Sequence, residues 1–431
     1  MMVKPDGFFG VTMAIEGIKD STVLMHGPEG CRKNLWALTN KVYPRKDRSI
    51  TRMTPYYGGS ARIPCTDLES SDYIYGAYDR VFDALQYIKE RDPGFVAVVC
   101  SPGASLIGDD CQKAIDEAGL GDRAIVLDAE LSSKPINVGI DLTLRRVLEK
   151  LDQPAGGVRR NTAVLLGNHV LQKDWESVNE EMSHILALMG IEVVCCLGAG
   201  SSVEDIRGSV DAEFAIAVCP EYSLRTAEYY RERYGMATIV PDCSPVGFEF
   251  TDAWIRLVAE RTGHDPSDAL GYVDGIRRKA YRRMMAARFD TDAFSFSIDA
   301  EPSICYPLSR FFYDNLQMVP RCLRYNGVSY EPSERMMAGF LEMIGRADAL
   351  EAEVPEYAEI LCTDGNTADM YARSNHCLRG VDLRFPSMMN VEFLPQPLFG
   401  AVGTLYILER VINRFRGRAM GFHEDERRVT D

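Results

Sequence analysis

Twelve cysteines, at positions 31, 65, 100, 111, 195, 196, 219, 243, 305, 322, 362 and 377, are the main chemical resource of this chain. None stands in a Cys-x-x-Cys pair, and the six histidines are not paired at metal-ligand spacing. Zinc-ribbon, thioredoxin-like and helix-borne zinc readings therefore fail. In a reducing compartment such thiols stay out of disulfides. A metal held by this chain is held by thiolates brought together from distant segments. That favours an iron–sulfur centre over a tetrahedral zinc built from local pairs.

The most specific local string is His26-Gly27-Pro28-Glu29-Gly30-Cys31. Its glycines allow a tight turn, and a helix following it would aim amide groups and the positive dipole end at Cys31, lowering the thiol pKa. Cys100, Cys195-Cys196, Cys219 and Cys362 each end an apolar, β-branched run, which is where open α/β sheets collect ligands. Free cysteine is also a common small core residue, so each of these has packing as its alternative. Gly198-Ala199-Gly200 lacks the third glycine of a dinucleotide fingerprint, since position 203 is valine. It reads as a βα turn with a serine cap. Asp109 and Asp110 follow Gly108 at a helix start and read as caps.

The elements that position these residues alternate. Runs at 22–25, 95–100, 124–127, 162–166, 192–196, 213–219, 238–240, 293–298 and 359–362 are short and apolar with little polar alternation, as in strands buried on both faces of a parallel sheet. Amphipathic stretches such as 79–91 and 175–189 fit crossover helices. The chain is expected to be α/β, with three Rossmann-like domains: 1–155 with Cys31, Cys65 and Cys100, 156–290 with Cys219, and 291–431. A turn-rich linker at Gln153–Gly157 and a charged helical stretch over 265–290 mark the joints, and Arg416–Asp431 is expected to fray.

With 431 residues, 46% hydrophobic and 26% charged, the chain is neither disordered nor fibrous. Its longest apolar runs are far short of a bilayer span, and the first residues carry no apolar core after a basic start, so a cytoplasmic protein without a membrane partner is expected. Forty-eight basic against 63 acidic residues leave a net charge of −15, which disfavours nucleic acid as a partner.

Taken in order, His26–Cys31, Cys65–Gly76, Leu106–Asp110, Cys219-Pro-Glu-Tyr-Ser223, Tyr229–Gly235, Pro245–Thr251 and Pro397–Gly403 resemble the nitrogenase component 1 superfamily. Its members include nitrogenase subunits, protochlorophyllide and chlorophyllide reductases, nickel-sirohydrochlorin cyclase and cofactor-assembly scaffolds. The resemblance implies three α/β domains with parallel sheets around a central cavity, in a homodimer or a heterodimer with a related subunit. It further implies single electrons from an ATP-dependent iron–sulfur reductase, passing through a [4Fe–4S] cluster at the subunit interface. Cys31 matches the family's cluster cysteine in this turn, and Cys65 stands where some members place another. The third family cysteine falls at Pro102, with Cys100 two residues earlier, and an upstream one falls at Asp6. Sharing Cys31 and Cys65 across a dimer axis would complete four ligands. Cys219 matches the strand-end cysteine that binds the active-site metal cofactor in nitrogenase α-type subunits. Here it could hold a second metal cluster, line a substrate cavity or pack.

Three functions follow: the catalytic component of a nitrogenase-like oxidoreductase, which is preferred; a scaffold that builds and hands on a metal cofactor; or a metal-free tandem Rossmann protein that binds a nucleotide.

Overall fold

The computed structural model describes residues 6–39, 56–57, 60–61, 63–128, 130–131, 133–286, 294–353, 357–387 and 392–419. Three parallel sheets follow one another along the chain. The first joins β1 (Ser21–His26), β2 (Phe95–Cys100) and β3 (Ala124–Leu127) in that order. The second contains β4 (Arg159–Leu166), β5 (Glu192–Cys196), β6 (Ala212–Ala217) and β7 (Ala237–Ile239), ordered β5-β4-β6-β7. The third contains β8 (Ser295–Ala300), β9 (Val319–Tyr325), β10 (Ala358–Asp364) and β11 (Cys377–Arg384), ordered β9-β8-β10-β11. The central strands are largely apolar where helices cover both faces, and β4 opens on the exposed Arg159, Arg160 and Asn161. Every residue of β1 and β2 is buried.

Strand order reverses between β4 and β6 and again between β8 and β10, and such switch points open a crevice beyond the strands' carboxyl ends. The first sheet has one as well. Met25 gives its N–H to Pro64 O at 2.8 Å and accepts Thr66 N–H at 3.0 Å, so Cys65 pairs with the free side of β1. The chain thereby runs from β1 to the residue-65 segment on one side and to β2 on the other.

Helices tie the units together. α1 (Gly7–Glu16) is capped by Asp6, whose carboxylate accepts Phe9 N–H at 3.0 Å. α2 (Glu29–Thr39) follows β1, and α3 (Ile136–Lys150) packs on α1. Asp141 of α3 accepts the backbone N–H groups of Arg225 and Thr226 at 2.7 and 3.0 Å, capping α4 (Leu224–Tyr234). α5 (Gly400–Ala419) packs against helices of the second unit. No helix among the described residues is long and apolar enough to cross a membrane.

Candidate functional site

The first site grows from the carboxyl end of β1. His26 is buried there, with Nδ1 3.1 Å from Thr66 Oγ1 and Nε2 3.2 Å from Asp109 Oδ2. Asp109 also accepts Ala77 N–H at 3.0 Å, so it fastens the turn and is not the helix cap expected for it. Asp110 is that cap, accepting Lys113 N–H at 2.9 Å. Gly27 lets the β1 and β2 turns touch, since a Cβ there would lie 2.7 Å from Ser101 Oγ.

Cys31 sits in the first turn of α2 and Cys65 on the far side of β1, both half-buried, and their thiols are close enough to influence each other. The Cys65 thiol donates to Gly27 O at 3.0 Å, and Asp67 N–H donates to its sulfur at 3.4 Å. Burial pushes the Cys65 thiol up to about 11, against the pull of the Asp67 N–H and the Arg32 guanidinium. Burial also raises Cys31, which corrects the expectation that the helix dipole would lower it. The Tyr73 hydroxyl is raised by burial and then by Cys31, with Cys65 adding less. The Tyr73 ring lies 3.3 Å from where a Cβ on Gly103 would stand. Around it Tyr73, Ile74, Tyr75 and Leu106 are exposed, the last three to 75%, 86% and 89%.

Cys100 does not join this pair. It faces Cys111 in a core with Leu24, Val81 and Leu85, whereas Cys65 packs on the cluster that contains Met25, which belongs to the other face of β1. The Asp6 carboxylate serves α1 as its cap. Among the described residues no three or more His, Cys, Asp or Glu side chains converge to hold a metal ion. Cys31 and Cys65 are thus two neighbouring thiols without a third ligating side chain beside them among the described residues.

The second site lies where the carboxyl ends of the second and third sheets face each other. Cys219, fully buried, follows β6, and its thiol donates to Glu221 Oε2 at 3.4 Å. Ser303, just after β8, donates to Glu221 through its N–H at 2.8 Å and its hydroxyl at 2.6 Å, and shares a 2.7 Å hydrogen bond with Ser244. Tyr222 donates to Glu301 Oε1 at 2.7 Å, and Arg384, at the end of β11, donates to Asp299 O and Oδ1 at 2.7 and 3.0 Å. Burial raises the Glu221 carboxyl to about 7, so it carries a proton for much of the neutral range. His169 follows β4 and lies on Tyr222 with ring centroids 4.0 Å apart. Its Nδ1 accepts Leu171 N–H at 3.3 Å, and burial lowers its pKa to about 3. Glu301, Ser303, Arg384 and His169 went unnoticed in the sequence, and Glu221 stood out there only as part of the Cys219–Ser223 string. Their shared signal is position, within a few residues of a parallel strand's carboxyl end.

Known proteins resemble this chain along its length. The family model for nitrogenase component 1 type oxidoreductases matches residues 7–416. The nitrogenase iron-iron protein beta chain of Rhodobacter capsulatus is 21% identical over 94% of this chain and 91% of its own length. A light-independent protochlorophyllide reductase polypeptide of Chloroflexus aggregans is 23% identical over 72% of this chain and 56% of its own. A nitrogenase iron-molybdenum cofactor biosynthesis protein of Bradyrhizobium diazoefficiens is 24% identical over 65% of this chain and 49% of its own. The chain thus spans about half the length of these last two relatives. A solved structure of nitrogenase Cp1 superposes with a TM-score of 0.76, covering 100% of this chain and 97% of that one at 14% identity, a likeness of fold.

Proposed function

Because the chain belongs to the nitrogenase component 1 type oxidoreductases, we propose that it is the catalytic component of a nitrogenase-like oxidoreductase. It would take single electrons from an ATP-dependent iron–sulfur reductase through a [4Fe–4S] cluster shared between two subunits. The observation that carries the cluster is the meeting of Cys31 and Cys65 beside exposed Tyr73, Ile74, Tyr75 and Leu106. The residues fit such a group. Two half-buried thiols lie within electrostatic reach of each other, the Arg32 guanidinium acts on Cys65, and a Cβ on Gly30 would meet nothing within 4 Å. The cluster would be held by Cys31 and Cys65 of each subunit and would supply one-electron transfer. The Asp67 N–H and Arg32 offset the negative charge of a Cys65 thiolate, and the His26–Asp109 pair fixes the turn that carries Cys31. Cys100, set against Cys111 in a separate core, is left to packing.

The reacting molecule would bind at the facing edges of the second and third sheets, beside Cys219. There the Cys219–Glu221–Ser303–Ser244 chain of hydrogen bonds can hold a proton next to a thiol. A scaffold role is the second reading, favoured by the 24% identity to a cofactor biosynthesis protein. Transfer of bound metal to an acceptor protein without turnover would distinguish it.

The test is iron and sulfide content with low-temperature electron paramagnetic resonance on anoxically purified chain. Wild-type protein should carry about four iron atoms per two chains. Cys31→Ala and Cys65→Ala should each lose them. Full iron content in both variants would overturn the assignment.

A further inference from the structure

His169 is a buried group beside the second site whose hydrogen bonding the protein leaves incomplete. The side chain is 4% exposed, yet Nε2 has no partner in the structure. Buried polar atoms of this kind are nearly always satisfied, so Nε2 points to a group that is not part of the chain. The other ring nitrogen fixes what that group must be. Nδ1 accepts the Leu171 N–H, so its lone pair is committed and it carries no proton. The single proton of the neutral ring is therefore on Nε2, which is a donor and has no lone pair to give a metal.

The surroundings then decide charge. Among the described residues, Lys173 and Arg384 are the enclosed cations of this edge. Lys173 faces Asp382 at 3.2 Å and Glu392, and Arg384 faces Asp299 and Glu301. Neither is left over to balance an incoming anion, whose burial beside a neutral donor would be costly. Asn137, at the start of α3, is another buried side chain with no partner on either amide atom, and its amide lies against Gly327. It lies one helical turn before Asp141, on the helix that packs against Pro220–Tyr222.

We propose that His169 donates its Nε2–H to a neutral acceptor, a carbonyl oxygen or an aromatic ring nitrogen, of an organic molecule bound where the three units meet. The inference rests on the placement of the reacting molecule beside Cys219. It makes His169 a selector of uncharged, acceptor-bearing substrates and sets it apart from the metal ligands of the chain. The tilted contact with Tyr222 (35° between ring planes), whose hydroxyl is held by Glu301, together with the Leu171 N–H, fixes the ring and so the donor's direction.

The test uses the full chain, purified without oxygen and carrying isotopically labelled histidine, followed by magnetic resonance. His169 should keep the neutral Nε2–H tautomer from about pH 8 to about pH 5, where ordinary histidines gain a proton. The signal that disappears in His169→Gln is that of His169, which separates it from His26, the other buried histidine, whose Nε2 faces Asp109. Millimolar acetamide should shift that resonance, and equal sodium acetate should not. A proton on Nδ1, a response to acetate as large as that to acetamide, or no response to acetamide would each overturn the proposal. The last result would mean that a buried water alone satisfies the donor. Iron content plays no part in these readouts, so failure here leaves the cluster standing, and loss of the cluster assignment leaves this test intact.

Discussion

At Cys65 two tendencies oppose each other. The residue is placed like a ligand, open to solvent on one side and next to a second thiol, but burial holds its proton on to about pH 11. A thiol nucleophile reacts only as thiolate, and at pH 8 a group with that pKa is ionised in about one molecule per thousand. In metal-free protein, alkylation of Cys65 by iodoacetamide should therefore be slow at pH 8. It should quicken about tenfold per pH unit and level off near pH 11, as followed by peptide mass spectrometry. The sign follows from the raised pKa: the protonated, unreactive form is the one stabilised below it. A bound metal must displace that proton, so protein loaded with iron should resist alkylation at every pH. Alkylation at pH 8 as fast as that of a free thiol would show that the sulfur is not enclosed as the structure has it.

The βα turns carry the next level of the argument. Gly167 links β4 to the loop bearing His169 with φ +82°, and a Cβ there would lie 2.3 Å from the backbone oxygen of Cys219. Both the backbone conformation and the neighbouring chain exclude a side chain. Gly167→Ala should cost about 2–4 kcal/mol of unfolding free energy, read from denaturant midpoints. Gly235→Ala is the control. That glycine caps α4 at φ +63° with nothing within 4 Å of a Cβ, so its replacement should cost only about 1 kcal/mol. Equal losses would mean that the β4 and β6 turns do not touch. The same scale shows what could be read from the sequence. Strands buried on both faces announce themselves as continuous apolar runs, and Phe95–Cys100, Ala124–Leu127 and Glu192–Cys196 lie where that pattern puts them. Val319–Tyr325 and Cys377–Arg384 did not show, and they are the two edges of the third sheet. There a proline and several arginines interrupt the apolar run because one side needs no cover. The first site was half visible. The turn at Cys31 has a local signature, whereas the place of Cys65 depends on a single bridge to Met25 across 40 residues. Cys100 looked equivalent to Cys31 by strand position, but side-chain alternation turns it to the other face of the sheet.

For the whole molecule the question is what covers Ile74, Tyr75 and Leu106. Their exposures of 75%, 86% and 89% put large apolar side chains in water at one place, with Tyr73 and Gly103 in contact between them. Exposed apolar groups clustered in this way mark an interaction surface. A four-iron cluster held by the nearby thiols would need ligands beyond Cys31 and Cys65, so a second copy placed on this patch would meet both needs at once. Its net charge of −15 makes each copy repel the other, and burial of the patch must outweigh that repulsion. Added salt screens charges beyond about 10 Å while leaving apolar burial intact, so self-association should tighten from low to moderate ionic strength. Ile74→Asp should put an unpaired carboxylate into the contact. Analytical ultracentrifugation without oxygen should then show a monomer, and iron should be lost in the same preparation, although all the cysteines are present. Val158→Asp alters another exposed apolar side chain at the start of the second sheet and should change neither mass nor iron. A monomeric Ile74→Asp protein that kept its iron would sink the shared cluster, because one chain would then be supplying every ligand.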